Sequence, residues 1–172
     1  MVAGEDPYAF SKPPTFDGGT QRDHEELAGF YHSLRRANDG LDSDLLRTIW
    51  SADADAVFFN TNGHTYHGLE DWLKIWAFYG PRLKHGPPGM TGRVQFVIRD
   101  DLAVIVDDHP TRSLQWPDDV ERPAFVTPYY RSTVVCRREN GRWKGWHVHY
   151  SSGQVGPRPE QMGWGEGAAE RG

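Results

Sequence analysis

The chain has 172 residues, with 19 Lys and Arg against 24 Asp and Glu, a formal charge of −5. That length fits one domain with its own core, and the mixed charge supplies none of the broad basic field that nucleic acid requires. The one cysteine, Cys136, excludes an intrachain disulfide and a Cys-based zinc site. A reducing, cytoplasmic home is therefore expected, the N-terminus lacks a basic-then-apolar leader, and no apolar run approaches the roughly 20 residues of a membrane span.

Residues 1–19 hold Pro7, Pro13, Pro14, Gly18 and Gly19 among Tyr8, Phe10 and Phe16. They read as an N-terminal arm without regular structure. Thr20 or Asp23 caps a first helix, in which Leu27, Phe30, Tyr31 and Leu34 recur at helical spacing until Asn38-Asp39-Gly40 ends it. Asp42 or Ser43 caps a second, carrying Leu45, Leu46, Ile49 and Trp50. Ala56 to Asn60 reads as a short strand, and the Asn62-Gly63 turn folds Thr65 to His67 back on it. A third helix spans Leu69 to Tyr79, and residues 80–91, with three prolines and three glycines, are loop. Four strands follow: Arg93 to Arg99, Leu102 to Val106, Tyr129 to Arg138 and Trp143 to Tyr150. The middle connection is a long polar loop over 110–128, with Trp116 and Phe125 placed to cover a mouth. The tail over 153–172 is irregular. Three helices with an inserted hairpin, then a four-strand meander, make an α+β layer fold in which a curved antiparallel sheet wraps the helices and leaves a pocket.

Three local patterns resemble the nuclear-transport-factor-2-like superfamily in its SnoaL-like branch. Ile49-Trp50-Ser51-Ala52-Asp53-Ala54-Asp55-Ala56-Val57-Phe58-Phe59 is similar to that family's apolar pair, acidic turn and first strand. His67-Gly68-Leu69-Glu70 is similar to its glycine entry into the third helix. Asn140-Gly141-Arg142-Trp143-Lys144, followed by His147-Val148-His149-Tyr150-Ser151, resembles the last hairpin of SnoaL-like proteins and of the association domain of calmodulin-dependent kinase. The resemblance covers residues 20–152 and implies a cone-shaped domain, a dimer or trimer, and a site inside the cone. It does not imply one activity, because isomerases, dehydratases, lyases and non-catalytic assembly domains share that fold.

Residues that can carry chemistry follow from both readings. The resemblance places Asn60 where ketosteroid isomerases keep a carboxylate base; an amide there cannot take up a proton but can hydrogen-bond a substrate oxygen, or simply close the strand. Tyr31 lies one turn before the isomerases' helix-one tyrosine, as an oxyanion donor or as a core tyrosine with its hydroxyl satisfied. Asp107 and His109, two apart at a strand end, share a face as an acid/base pair or end a solvated strand. Arg131 matches a pocket arginine of the kinase association domain and would bind an anionic oxygen; a register slip of one residue brings Tyr130 inward instead. His147 and His149 lack a third metal ligand at suitable spacing and are expected on the outer sheet face. Trp50, Phe59, Trp72, Trp76, Trp146 and Tyr150 are expected to line the pocket around a planar ligand, with plain core packing as the alternative. No G-x-G-x-x-G, Walker loop, G-x-S-x-G or H-E-x-x-H occurs, and no cofactor or metal is expected.

The expected function is a cofactor-independent acid/base enzyme on a small, aromatic substrate: a lyase, dehydratase or isomerase. The most specific form is a carbon–carbon lyase that releases formaldehyde from a lignin-derived diarylpropane. The alternative is a non-catalytic ligand-binding or oligomerisation module. Partners are expected to be a small-molecule substrate and further copies of the chain, not nucleic acid or membrane.

Overall fold

The computed structural model describes residues 6–119 and 129–152. The expected tail over 153–172 and Phe125 lie outside them. In chain order the elements are β1 (Thr15–Asp17), α1 (Gln21–Gly40), α2 (Ser43–Ile49), β2 (Val57–Phe59), β3 (Thr65–His67), α3 (Leu69–Tyr79), β4 (Lys84–His85), β5 (Val94–Arg99), β6 (Leu102–Asp107), β7 (Leu114–Gln115), β8 (Tyr130–Glu139) and β9 (Arg142–Ser152).

Each helix start is set by local chemistry. Thr20 and Asp23 form a reciprocal capping box on α1, the Thr20 N–H donating to the Asp23 carboxylate at 2.9 Å. At the other end Leu41 takes the left-handed conformation (φ 49°) and the Asp42 N–H returns to the Ala37 carbonyl. Asp42 then caps α2 by accepting from the Leu45 N–H at 2.9 Å. Gly68, at φ 75°, makes the turn into α3.

Seven strands form one sheet in the order β1-β5-β6-β8-β9-β2-β3. The sheet is mixed: the β5-β6-β8-β9 meander and the β2-β3 hairpin are antiparallel, but β1 joins β5 and β2 joins β9 in parallel. The N-terminal arm is therefore not wholly irregular. Its residues 15–17 cover the free edge of β5, because Phe16 stacks on Phe96 with centroids 4.7 Å apart. The loops expected over 80–91 and 110–128 also hold a small ribbon, β4 paired with β7.

One sheet face is buried against the helices. Val94, Phe96 and Ile98 of β5, Ala103 and Ile105 of β6, Val134 and Cys136 of β8, and Trp143 and Val148 of β9 meet Leu27, Phe30, Leu34, Leu46, Trp72 and Trp76. Strand alternation explains the set, since every second residue turns inward. A β-bulge between Val135 and Cys136 breaks the phase: Cys136 pairs with Gly145 and Val135 with His147, which leaves Trp146 as the extra residue. Among the described residues no helix is long and apolar enough to cross a membrane.

Candidate active site

Where α1 and α3 diverge from the sheet, a cavity of about 110 Å³ remains. Helix α3 supplies Trp72, Ile75, Trp76 and Tyr79; the end of α1 supplies Asn38, Asp39 and Leu41; β8 and β9 supply Tyr130 and Tyr150. The β2–β3 turn adds Asn60, Thr61 and Asn62, and the segment around β7 adds Arg112, Leu114 and Trp116. A predominantly apolar and aromatic wall with a few convergent polar groups is the usual make-up of a small-molecule site.

The polar groups are positioned by a connected set of hydrogen bonds. The Asp39 carboxylate accepts from the Gly89 N–H at 3.0 Å, and the ring of His85 donates to the Asp39 carbonyl at 2.9 Å. Burial raises the pKa of Asp39, while the Gly89 and Ser113 N–H groups and the charges of Arg35 and His85 pull it back only in part. Tyr150 accepts from the Asn38 amide at 3.1 Å and meets the Tyr130 ring edge-on, centroids 5.3 Å apart. The Arg112 guanidinium lies 4.8 Å over the Tyr130 ring and donates to Thr61 at 2.8 Å; Thr61 in turn donates to Asn60 at 3.2 Å. Burial pushes the Tyr130 phenol up to about 12 and raises Tyr150 further, so both stay protonated donors at neutral pH.

A second polar cluster lies deeper. The Tyr31 hydroxyl donates to the fully buried Asp107 carboxylate at 2.8 Å and lies 3.4 Å from Ser132. Asp107 also accepts from the backbone N–H groups of Gly92 (2.8 Å) and His109 (3.3 Å). Burial raises its pKa despite these donors.

No family model matches the chain, and no curated protein matches it at a significant level. Solved structures do. A nuclear-transport-factor-2-like protein from Salmonella enterica superposes with a TM-score of 0.65 at 18% identity, over 87% of this chain and 99% of the other. A candidate dehydratase of the same fold family from Streptomyces avermitilis gives 0.62 at 16% identity, over 79% and 100%. A candidate ketosteroid isomerase from Shewanella frigidimarina gives 0.53 at 16% identity, over 73% and 94%. The chain has the nuclear-transport-factor-2-like fold.

Within that fold, several expected site residues meet in the cavity: Asn60, Trp72, Trp76, Tyr130 and Tyr150 all line it. Others are elsewhere, for identifiable reasons. Arg131 is exposed and donates to the Ser152 carbonyl at 3.3 Å; the inward residues of β8 are Tyr130 and Ser132, so the register is the alternative one. Asp107 and His109 do not pair. The carboxylate takes the His109 backbone N–H, whereas the His109 ring is exposed and stacks on Tyr129 at 4.2 Å. Tyr31 is a core tyrosine satisfied by Asp107. Trp50 packs in the core between Phe30, Phe58 and Trp72. Phe59, 41% exposed, lies on the outer sheet face with its ring edge-to-face with His147 and His149. Trp146, displaced by the bulge, lies beside the Arg137 guanidinium. His147 is on the outer face as expected, its ring donating to the Val57 carbonyl at 2.7 Å.

Asp39, Arg112, Tyr79 and Asn38 were not picked out from sequence. A usable signal existed for two of them: Asn38 follows Leu34 by one turn and so continues the inward stripe of α1, and Tyr79 follows Trp72 and Trp76 at i+7 and i+3 and so continues that of α3.

Proposed function

We propose that the chain is a cofactor-independent acid/base enzyme, an isomerase or dehydratase, acting on a small enolisable molecule in the cone cavity. The observation that carries this reading is the meeting of a carboxylate of raised pKa, Asp39, with the phenols of Tyr130 and Tyr150 and the guanidinium of Arg112 in one Trp-lined cavity. The names of the isomerase-like and dehydratase-like structures of the same fold support the class. Asp39 takes a proton from carbon next to a carbonyl, and the carbonyl oxygen gains the charge. The Tyr130 and Tyr150 hydroxyls donate to that oxygen as it becomes an enolate. Asp39 then returns the proton to a different carbon, giving isomerisation, or to a departing β-hydroxyl that leaves as water, giving dehydration.

Asp39 thus takes the part expected of Asp107 and His109, and Tyr130 that expected of Arg131; Asn60 serves as a hydrogen-bonding wall residue. The cavity is on the scale of cavities that admit one benzene-sized ring. That favours a single-ring substrate and sets the two-ring diarylpropane cleavage behind isomerisation and dehydration. The SnoaL-like branch, assembly into a dimer or trimer and a cytoplasmic setting belong to the same proposal. A non-catalytic binding or assembly module is the second reading, and the outer sheet face described below favours it.

The test is incubation with single-ring enones and β-hydroxy ketones, without added metal or nucleotide, followed by ultraviolet absorbance and thermal shift. Turnover by the native chain, reduced about 10²- to 10⁴-fold in Asp39→Asn, is expected. Thermal shifts without turnover would favour the module.

A further inference from the structure

We propose that Arg35 is a positioning residue for the cavity's base: its buried guanidinium fixes the Asp39 carboxylate through Gly89, and its charge keeps that carboxylate ionised. Arg35 serves the reaction only if Asp39 is the base of the proposed function, but its hold on Asp39 is measurable without turnover. Tyr31, Arg35 and Asp39 follow one another at four-residue intervals and so lie along one stripe of α1. That stripe joins the two polar clusters. Tyr31 donates to Asp107 at one end, Asp39 lines the cavity at the other, and Arg35, 7% exposed, lies between them. Its guanidinium donates to the Gly89 carbonyl and, at 2.7 Å, to the Tyr8 carbonyl. The Gly89 N–H donates to Asp39 at 3.0 Å, and the Gly92 N–H donates to Asp107 at 2.8 Å. One short loop thus turns N–H groups to both carboxylates while Arg35 holds its carbonyl side.

Those two bonds commit the guanidinium to carbonyl oxygens, which carry no charge to match it. A buried cation needs an anion to offset its lost hydration, and the carboxylates whose ionised form its charge favours are Asp39 and Asp107. Burial is the largest influence on Asp39 and raises its pKa; the Gly89 and Ser113 N–H groups oppose it, and Arg35 is the leading charge that does so. The other ionisable groups around Asp39 supply less. His85 of β4 is exposed, and water screens its charge. Arg112 lies over the Tyr130 ring and donates to Thr61. Tyr8, Tyr130 and Tyr150 all have raised pKa values and stay neutral phenols near pH 7. Tyr8 also ties the N-terminal arm to the site, its half-buried ring centred 5.6 Å from the Arg35 guanidinium.

Carbon-13 titration of the Asp39 carboxyl by NMR, assigned through Asp39→Asn, tests this in the whole chain. Arg35→Gln is expected to move the Asp39 midpoint up by about one pH unit or more. Arg36→Gln removes the same charge from an exposed position of the same helix and is expected to move it by less than about 0.3 unit. For any compound the native chain turns over, the rising limb of the pH–rate profile is expected to shift with the Arg35→Gln midpoint. Should Arg35→Gln fail to fold, Arg35→Lys decides: a point cation reaches one carbonyl where the fork reaches two, and a rise of about half a unit or more is expected. The proposal is overturned if the folded Arg35 variant titrates Asp39 like the native chain, or if Arg36→Gln shifts it as far. Loss of stability with an unmoved midpoint is what a purely structural arginine would give. A shifted midpoint with no turnover of any compound would leave the hold of Arg35 on Asp39 standing and remove the enzyme reading. Turnover that Asp39→Asn abolishes, with a midpoint indifferent to Arg35, would do the reverse.

Discussion

Asp39 is placed at the last turn of α1, where helix gives way to cavity, and its chemistry follows from that position. Burial holds its pKa above the ordinary carboxylate value, so the folded chain binds its proton more tightly than the unfolded chain does. The stability this group contributes is complete below the ordinary value and is lost as pH rises through the raised one. Asp39→Asn removes the titration. Thermal melts are therefore expected to show the variant gaining on the native chain as pH rises through that window, with a constant difference above it. Activity moves in the opposite sense, because only the ionised carboxylate accepts a proton. The native pH–rate profile is expected to rise through the same raised pKa, and Asp39→Asn to lose that limb. A residue that costs stability where it supports activity is common at functional sites.

Among the elements, β9 decides which side chains reach the cavity. Its bulge turns Trp146 out of phase and lets Gly145 and Val148 both point inward, which brings Tyr150 to the cavity wall. Gly145 is where the strand and Trp50 approach most closely: an added Cβ would meet the Trp50 ring at 2.5 Å and Phe30 at 2.9 Å. Gly145→Ala is expected to destabilise the fold by about 1–3 kcal/mol, measured by denaturant unfolding, since the core Trp must shift. The helices, the β2–β3 hairpin and the four meander strands were legible in sequence because each repeats an apolar period or ends on a strong turn. β1, β4 and β7 were not, being two- or three-residue strands whose pairing depends on distant partners. The site was legible in the same uneven way. Trp72 and Trp76 lie on a periodic helix face, so their direction follows from spacing. Tyr130 and Arg131 are adjacent in a strand, where a shift of one residue exchanges inside for outside. Asp39 and Arg112 lie at a helix end and in a loop, where periodicity says nothing about direction.

At the scale of the molecule, the sheet has a second face that the helices do not cover. Val104 pairs with Val135 and Val106 with Thr133 on that side, with Val97 (37% exposed) and Phe59 nearer the edges. A row of β-branched residues across adjacent strands is a surface that association would bury. Light scattering is expected to give two or three times the mass of one chain, and the paired change Val104→Arg with Val135→Arg to give one. A single-chain mass for the native protein would remove the assembly proposal without touching the cavity, because the cavity lies between the sheet's other face and the helices.

The proposed function depends on Asp39 acting as a base on carbon inside the cavity. Deuterium exchange reads that step: the protein is incubated in heavy water with single-ring enolisable carbonyl compounds, and label uptake is followed by mass spectrometry. At least one compound is expected to take up deuterium about 100-fold faster or more with the native chain than with Asp39→Asn. Equal rates for the two proteins, both folded, would contradict it.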